Sequence, residues 1–446
     1  MKGKRSSAAQ RVGGLGMRLA RIVHPAVFFL IPLLLSFAAW LVPGESLALR
    51  GFQERPSTSL TGIAFLAAFY AFCFGVLCLG YSVGRSRAPN AAIEAAARDP
   101  RFDVFLYRIL TVIATVGVVY ALVLVSRQIS VLDALLTRRG NALTESLGGV
   151  AGLATLRYTS AVAAPIAIRL WRRGSCSPGS MAWNCLLLAV NTLFTSRLSL
   201  MMAVVVYVVI LYRADPERRV RLSGVVGVST VLFGLLAVFN VLRNARFYEA
   251  NGVDNPLAMN AYQILAYLAA PSQVSLGVAP HMLSGRFPDR SDWYSALEVV
   301  TPTFLLDKSD AAPAGLERYS YFVSIQDSLT TNSAFADTFS RYGWWGLLYV
   351  CLALGVAGFL YGHLVQYRCT LSAAAGVLAY GMAEFWRIFL FAQGIVVYLL
   401  LIMYVAARVA ARRYRPADVS TSEAPRPQPT RFSPSSRNQP VRTELG

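Results

Sequence analysis

Arginines within or beside long apolar stretches are the residues of this chain that could do chemistry. A charge at such a position is costly and tends to serve a function. A guanidinium group binds phosphate in a bidentate geometry and keeps its charge at neutral pH. Several of them meeting at one membrane face would suit a lipid-linked diphosphate. The set consists of Arg157, Arg197, Arg243, Arg246, Arg341 and Arg387.

Spacing and position group some of these arginines. Arg243 and Arg246 are three residues apart, so a helix would place them on one face with Asn240. Arg157 falls inside an apolar stretch and Arg197 in a short turn between two, so these two are the hardest to explain as surface anchors. For each arginine alone, the alternative is a side chain that snorkels to the lipid headgroups. We expect the set to form a shared anion pocket.

Three carboxylates could accept a proton from a reacting hydroxyl, namely Asp327, Asp337 and Glu384. Desolvation near a membrane raises the pKa of a carboxyl group toward the range that suits a general base. The alternatives are a solvated loop position for each, or a salt bridge from Glu384 to the nearby Arg387. We expect His281 to be structural or exposed. No C-x-x-C motif or His/Cys cluster predicts a metal site.

The composition predicts which elements must position these residues. Hydrophobic residues make up 55% of the 446 residues and charged residues 15%, whereas soluble domains carry roughly 25% charged residues. The apolar residues form blocks long enough for a helix to cross the hydrocarbon. We therefore predict an all-α transmembrane bundle of about ten spans, of which the fifth, sixth and ninth are short. They are Ile22–Val42, Leu60–Val83, Phe105–Val125, Gly149–Trp171, Gly179–Phe194, Leu198–Tyr212, Leu222–Leu242, Trp345–Gln366, Leu371–Phe385 and Ile388–Ala407.

Charge predicts how these spans are oriented. With ten spans, the basic residues of the short loops and of both ends of the chain fall on one side, which places both termini in the cytoplasm. The net charge of +19 therefore indicates anionic lipid as the partner. Nucleic-acid binding is not expected, because no recognition motif accompanies the charge. The six cysteines fall in spans or predicted cytoplasmic loops, so no disulfide framework is expected.

The spans divide the chain into five parts. These are a basic cytoplasmic arm (1–21), a seven-span half (22–242), a large external loop (243–343), a three-span closing segment (344–409) and a disordered cytoplasmic tail (410–446). A connection as long as the external loop is usually functional or has a small fold of its own. Within it, Tyr262–Ala270 and Tyr294–Val300 are apolar enough to form short helices on the membrane surface. A structured cap without chemistry is the alternative.

The stretch from Thr331 to Gly346 resembles the end of the large periplasmic loop in O-antigen polymerases. There a polar run leads into an aromatic-rich G-x-x-G helix start, as in Ser340-Arg341-Tyr342-Gly343-Trp344-Trp345-Gly346. The Ser196-Arg197 turn between two short spans is similar to that family too, and so is the order of seven spans, a long loop and three closing spans. The resemblance implies a GT-C-like helical fold in the bacterial inner membrane.

The resemblance also implies an activity. Such a polymerase transfers a growing oligosaccharide from its undecaprenyl diphosphate carrier onto a new lipid-linked repeat unit, without a nucleotide sugar, metal or other cofactor. Arg197 and Arg243 would then stabilise the departing diphosphate, and Asp337 would activate the acceptor hydroxyl. The implied partners are the undecaprenyl-diphosphate-linked oligosaccharide and membrane lipids, and a chain-length regulator protein is also allowed. The substrate-binding residues would be Arg157, Arg246, Arg341, Arg387, Asn332 and Asn240.

Two other functions stay open. An O-antigen ligase would share the fold and the donor, but ligases often place a histidine early in the segment where this chain has Asn332. A flippase or transporter of lipid-linked sugars would not need so long an external loop. Glycosyltransferases that use polyprenyl monophosphate sugars often carry acidic residues in the first external loop. Here that loop offers only Glu45 and Glu54.

Overall fold

The computed structural model describes residues 17–18, 22–42, 58–137, 142–143, 146–147, 153–195, 198–214, 219–220, 222–285, 292–302 and 333–414. In these ranges the chain is helical apart from turns and one short strand pair, β1 (Met17–Arg18) with β2 (Arg219–Val220), which is antiparallel. Four 3₁₀ helices run over Leu153–Thr159, Ser295–Val299, Thr370–Ser372 and Leu390–Ala392. The α-helices are α1 (Pro25–Leu41), α2 (Leu60–Ser86), α3 (Ala91–Ala96), α4 (Pro100–Gln128), α5 (Val131–Leu136), α6 (Ser160–Arg172), α7 (Pro178–Thr195), α8 (Leu198–Ala214), α9 (Leu222–Ala250), α10 (Pro256–Leu283), α11 (Ala334–Leu364), α12 (Ala373–Glu384) and α13 (Gly394–Arg413).

Four of the described helices are long and apolar enough to cross a membrane, namely α2, α4, α11 and α13. Two shorter apolar helices cover Pro25–Leu41 and Leu198–Arg213. Each of the ten predicted spans overlaps a helix, but the fourth and tenth do so only in part, since α6 begins at Ser160 and α13 at Gly394. The prediction of an all-α membrane protein is therefore confirmed at this level, whereas the number of ten spans and their orientation stay predictions.

Helices α1 and α2 define the two ends of the bundle. They run antiparallel, since His24 packs against Tyr81 at 5.1 Å between ring centroids and Phe29 against Phe74 at 6.2 Å. We call the end at which α1 ends and α2 begins the upper end, and the opposite end the lower end. The upper end is the one predicted to be external.

Helices α6 and α12 are enclosed by the others. Every residue from Ser160 to Ala167 and from Ala373 to Met382 is buried. Helix α12 has 12 residues and is about 18 Å long, well short of the hydrocarbon thickness. It agrees with the short ninth span that the sequence predicts.

Helix α10 lies within the segment 243–343, which the sequence predicts as a long external loop. It has 28 residues and is buried without interruption from Ala269 to Ala279. Its start is encoded locally, because the Asn255 side chain accepts a hydrogen bond from the Leu257 N–H at 2.8 Å and proline follows as the first helical residue. Polar contacts attach it to α1, where Trp40 donates to Gln273 at 2.6 Å. The short surface helix predicted over Tyr262–Ala270 is therefore part of a longer, largely buried helix.

Glycines bring the backbones of α2 and α11 into contact. A Cβ atom added at Gly80 would overlap the carbonyl oxygen of Gly355, and one at Gly358 would overlap that of Leu77. Along the contact Gly80 faces Gly355 and Gly84 faces Phe359, so both sequence numbers rise together, the two helices run parallel and α11 begins at the upper end. Lipid tails are as apolar as the helices, so close van der Waals packing of small residues must hold such a pair together.

Gly343 divides α11 into two parts. Its backbone has φ 58° and ψ −150°, a conformation that a residue without a Cβ adopts readily. The first part begins at Ala334, earlier than the predicted helix start near Gly343. Its Phe335 packs against Phe65 and Phe69 of α2, with ring centroids 5.9 and 5.2 Å away. The kink therefore keeps the first turns of α11 against the upper end of α2.

We predict that Gly358→Ala lowers the free energy of unfolding by about 1–3 kcal/mol, because the new methyl group forces the two backbones apart. Gly75→Ala is the matched control, since a Cβ atom there meets nothing within 4 Å. Thermal unfolding of both purified variants in the same detergent, followed by tryptophan fluorescence, measures the difference. Equal midpoints for the two variants would show that the glycine contact contributes nothing.

Candidate functional site

Arg157 is half-buried, and its backbone lies against α4. It belongs to the 3₁₀ helix Leu153–Thr159, whose backbone packs against Gly117 of α4 so closely that a Cβ atom at Gly117 would overlap the Arg157 nitrogen. Gly117 stands eleven residues before α4 ends at Gln128, which corresponds to about 16 Å along the helix. The Arg157 backbone is therefore level with the middle of a helix that is long enough to cross a membrane.

The side chain of Tyr158 contacts the guanidinium group of Arg157. The guanidinium carbon lies 4.7 Å from the centroid of the Tyr158 ring, and Nη2 donates a hydrogen bond to the Tyr158 hydroxyl at 3.3 Å. The face of an aromatic ring attracts a cation, more strongly when both are desolvated.

Arg387, in the link between α12 and α13, forms an ion pair with Glu384. Its Nη2 and Nε lie 2.6 and 2.9 Å from Oε2 of the carboxylate, and the two side chains are 16% and 15% exposed. The Tyr380 hydroxyl donates to the other oxygen, Oε1, at 2.9 Å. Burial opposes the charge on Arg387, but the attraction and hydrogen bonding of Glu384 together with the nearby Tyr267 and Tyr380 outweigh burial and keep the pKa of Arg387 above its ordinary value.

One stripe of α10 contacts both Arg387 and α9. The Tyr267 ring lies under the Arg387 guanidinium, 5.4 Å from its carbon. On the preceding turns, Gln263 accepts a hydrogen bond from Tyr248 at 2.7 Å, and Asn260 accepts one from Asn240 at 2.9 Å. Positions 260, 263 and 267 share one face of a helix. Asn240, predicted to bind substrate, is thus bonded inside the contact between α9 and α10.

A polar cluster stands beside the turn that contains Arg197. Asn191 Nδ2 donates to Ser160 Oγ at 3.1 Å and to Ser199 Oγ at 2.8 Å, and Ser160 Oγ donates to the Arg157 carbonyl at 2.7 Å. These three buried side chains connect the Arg157 backbone to α7 and α8, the helices on either side of the turn. Arg197 itself lies outside the described residues.

Asp337 and Arg341 form a second, looser pair in the first turns of α11. The Arg341 Nε atom is 3.7 Å from Asp337 Oδ1, and their side chains are 21% and 38% exposed. The helix start is held on α10, because the Ser333 and Ser275 hydroxyls are 2.6 Å apart. Tyr70 contacts both hydroxyls, and its ring centroid is 6.4 Å from that of Phe385, two residues before Arg387. Tyr70 thus links the neighbourhoods of the two ion pairs.

The other predicted site residues are not brought into this arrangement. Arg246 is exposed near the end of α9, and the position of the Arg243 side chain lies outside the description. Asn332 and Asp327 also fall outside the described residues. His281, expected to be structural or exposed, is half-buried near the end of α10.

Three contacting residues were not predicted from the sequence. Tyr267 contacts Arg387, Tyr380 donates to Glu384, and Gln263 accepts a hydrogen bond from Tyr248 of α9. Tyr267 falls in a stretch that the sequence predicts as a surface helix, and Tyr380 in a predicted span. The signal that could have found Tyr267 and Gln263 is a polar stripe at helical spacing, Asn260, Gln263 and Tyr267, in an otherwise apolar segment.

Comparisons with known proteins do not add a relative to these observations. No family model matches the chain, and neither a curated protein nor a solved structure matches it. The fold therefore defines the class, a helical membrane protein in which four of the described helices are long and apolar enough to span the bilayer. Any more specific activity is inferred from the site.

We predict that Glu384→Gln lowers the free energy of unfolding by about 3 kcal/mol, because it leaves the charge of Arg387 buried beside a neutral group. The double variant Glu384→Gln/Arg387→Gln should be more stable than the single one, since it removes both charges. Denaturant titration in mixed micelles measures both values.

Asp337→Asn is the matched control for Glu384→Gln. It too removes the carboxylate of an ion pair, but the Asp337–Arg341 pair is longer and more exposed. The free energy of unfolding should therefore fall by no more than about 1 kcal/mol. If the double variant is less stable than Glu384→Gln, the two charges do not compensate each other.

Proposed function

We propose that this protein is a membrane glycosyltransferase that polymerises undecaprenyl-diphosphate-linked oligosaccharide repeat units into a surface polysaccharide. The observation that carries the proposal is Arg157, a permanent cation beside the middle of a membrane-length helix. A cation at that depth is costly, and an anionic group delivered by a lipid carrier is a ligand that would justify its cost.

Further support comes from the neighbours of Arg157. Hydrogen bonds connect its backbone through Ser160 and Asn191 to Ser199, two residues after Arg197. These hydroxyl and amide groups link the Arg157 backbone to both helices that flank Arg197 in the sequence. We propose that Arg157 and Arg197 together offer guanidinium groups to both phosphates of a diphosphate.

In the proposed reaction the acceptor hydroxyl attacks the anomeric carbon of the donor sugar. The bond from that carbon to the diphosphate oxygen breaks, and its electron pair leaves with the diphosphate. Arg157 and Arg197 stabilise the negative charge that develops there, with Arg243 as a further candidate. The proton of the acceptor passes to a carboxylate, for which we propose Asp337. Its side chain is 38% exposed at the start of α11, so a substrate hydroxyl can reach it.

Glu384 is the less suitable base. Both of its oxygens already accept hydrogen bonds, one from Arg387 and the other from Tyr380. A carboxylate whose two oxygens are both occupied in this way offers little room for a substrate hydroxyl. We therefore assign Glu384 and Arg387 to positioning and electrostatic balance within the site.

We predict that Arg157→Gln abolishes long polysaccharide chains in a deletion strain, whereas wild type restores them. Loss of a donor that stabilises a leaving anion slows a reaction on the order of 100-fold. Arg157→Lys should restore only short chains, because it keeps the charge but loses the bidentate geometry. The length distribution on a polysaccharide gel is the measurement, with membrane protein levels compared by immunoblot.

Arg127→Gln is the control, an exposed arginine in the last turn of α4, and it should restore the full ladder. Single repeat units attached to their acceptor in the deletion strain would support a polymerase. No repeat at all would favour a ligase or a flippase. A full ladder with Arg157→Gln would exclude Arg157 from the diphosphate site.

A further inference from the structure

A groove lined by arginines opens at the lower end of the bundle. It lies between the beginning of α4 and the end of α13 and has a volume of about 750 Å³. Three arginines line it, Arg101, Arg108 and Arg413, together with apolar side chains of α4 that include Val112 and Ile113.

The α4 wall of the groove changes from cationic to apolar along the helix. Arg101, Phe105, Arg108 and Val112 recur at intervals of four, three and four residues, so they share one helix face. Val112 lies eleven residues beyond Arg101, about 16 Å further along the helix, and is 62% exposed. The groove therefore has a cationic part at Arg101, Arg108 and Arg413, which we call the mouth, and a partly exposed apolar wall at Val112 and Ile113.

Helix α13 closes the cationic mouth. The guanidinium carbon of Arg413 is 5.0 Å from the centroid of the Phe105 ring, and the Tyr414 ring is 5.8 Å from the same ring. These contacts hold Arg413 over the groove, opposite Arg101 and Arg108. Tyrosine is a side chain that favours the level of the lipid headgroups, which agrees with a mouth at that level.

No acidic side chain lines the groove within the described part of the chain. The two acids nearest in sequence have other partners. Asp99 accepts the Arg101 backbone N–H at 2.8 Å as the cap of α4, and Asp103 accepts two hydrogen bonds from Thr370, at 2.6 and 2.7 Å. The positive charge of the mouth is thus not balanced by the groove itself.

We propose that this groove binds one anionic phospholipid, with the phosphate between Arg101, Arg108 and Arg413 and an acyl chain along Val112 and Ile113. A soluble anion would not use the apolar wall, and a second copy of the chain would bring three more arginines to the mouth. An anionic phospholipid satisfies both parts of the groove, and by bridging α4 and α13 it joins two membrane-length helices. The inference does not depend on the proposed glycosyltransferase activity.

Native mass spectrometry of the purified full-length protein tests this site, with dioleoyl phosphatidylglycerol and dioleoyl phosphatidylcholine as probes. Wild type should retain phosphatidylglycerol in preference to phosphatidylcholine. Arg108→Gln/Arg413→Gln should weaken phosphatidylglycerol binding by roughly fivefold for each charge removed. Arg87→Gln/Arg412→Gln is the matched control, because it removes two exposed arginines near the same end that do not line the groove, and it should bind like wild type.

A second variant tests the apolar wall without changing the charge. Val112→Trp should obstruct the acyl chain and reduce phosphatidylglycerol binding, whereas Val116→Trp, one turn further along and outside the groove lining, should not. Inorganic phosphate at the same concentration should fail to displace the lipid. Equal retention of the two lipids by wild type, equal losses in groove and control variants, or displacement by phosphate would overturn the proposal.

Discussion

The direct contact between the backbones of α2 and α11 determines at which end of the molecule α11 begins. Gly80, Gly84 and Gly358 leave room for the two helices to approach until carbonyl oxygens face the opposite backbone. Because the helices run parallel, α11 must begin where α2 begins. The turns before the Gly343 kink then pack on the aromatic side chains of α2, and Ser333 reaches Ser275 of α10. The small residues of one helix pair thus set the position of α10 as well.

Charge inside the bundle is the second constraint. Glu384 neutralises Arg387, and tyrosines occupy the remaining carboxylate oxygen and the face of the guanidinium group. This arrangement is fully bonded and suits a positioning role. Arg157 packs against the ring of Tyr158 and donates a hydrogen bond to its hydroxyl. We propose electrostatic balance for Arg387 because both oxygens of its partner Glu384 already accept hydrogen bonds.

The bundle presents arginines in two different ways. The Arg157 backbone packs on Gly117 near the middle of α4, and hydroxyl and amide groups from α6, α7 and α8 adjoin that backbone. At the lower end the arginines are exposed and stand beside a partly exposed apolar wall. We propose that the inner cation suits a ligand that can enter the protein, whereas the exposed ones suit a lipid that stays in its leaflet. The two proposals thus assign the same residue type to two purposes in one chain.

The amino-acid sequence alone determined the helical class and the location of the apolar helices, since a block of apolar residues long enough to cross the bilayer is a local property. It also indicated that Glu384 and Arg387 could pair, because they are three residues apart. It did not reveal α10 as a long buried helix. Asn260, Gln263, Pro271 and Gln273 interrupt its apolar pattern, and only the surrounding helices bury it.

Tertiary structure alone decided which side chains surround the predicted residues. Arg387 and Tyr267 are far apart in the chain, and their contact depends on the packing of α10 beside the link between α12 and α13. Asn240 shares a helix face with Arg243 in the sequence, yet its amide is bonded to Asn260 of α10. The physical reason is that helix spacing follows from local geometry, whereas contacts between helices depend on small residues and polar groups that match only after the bundle has formed.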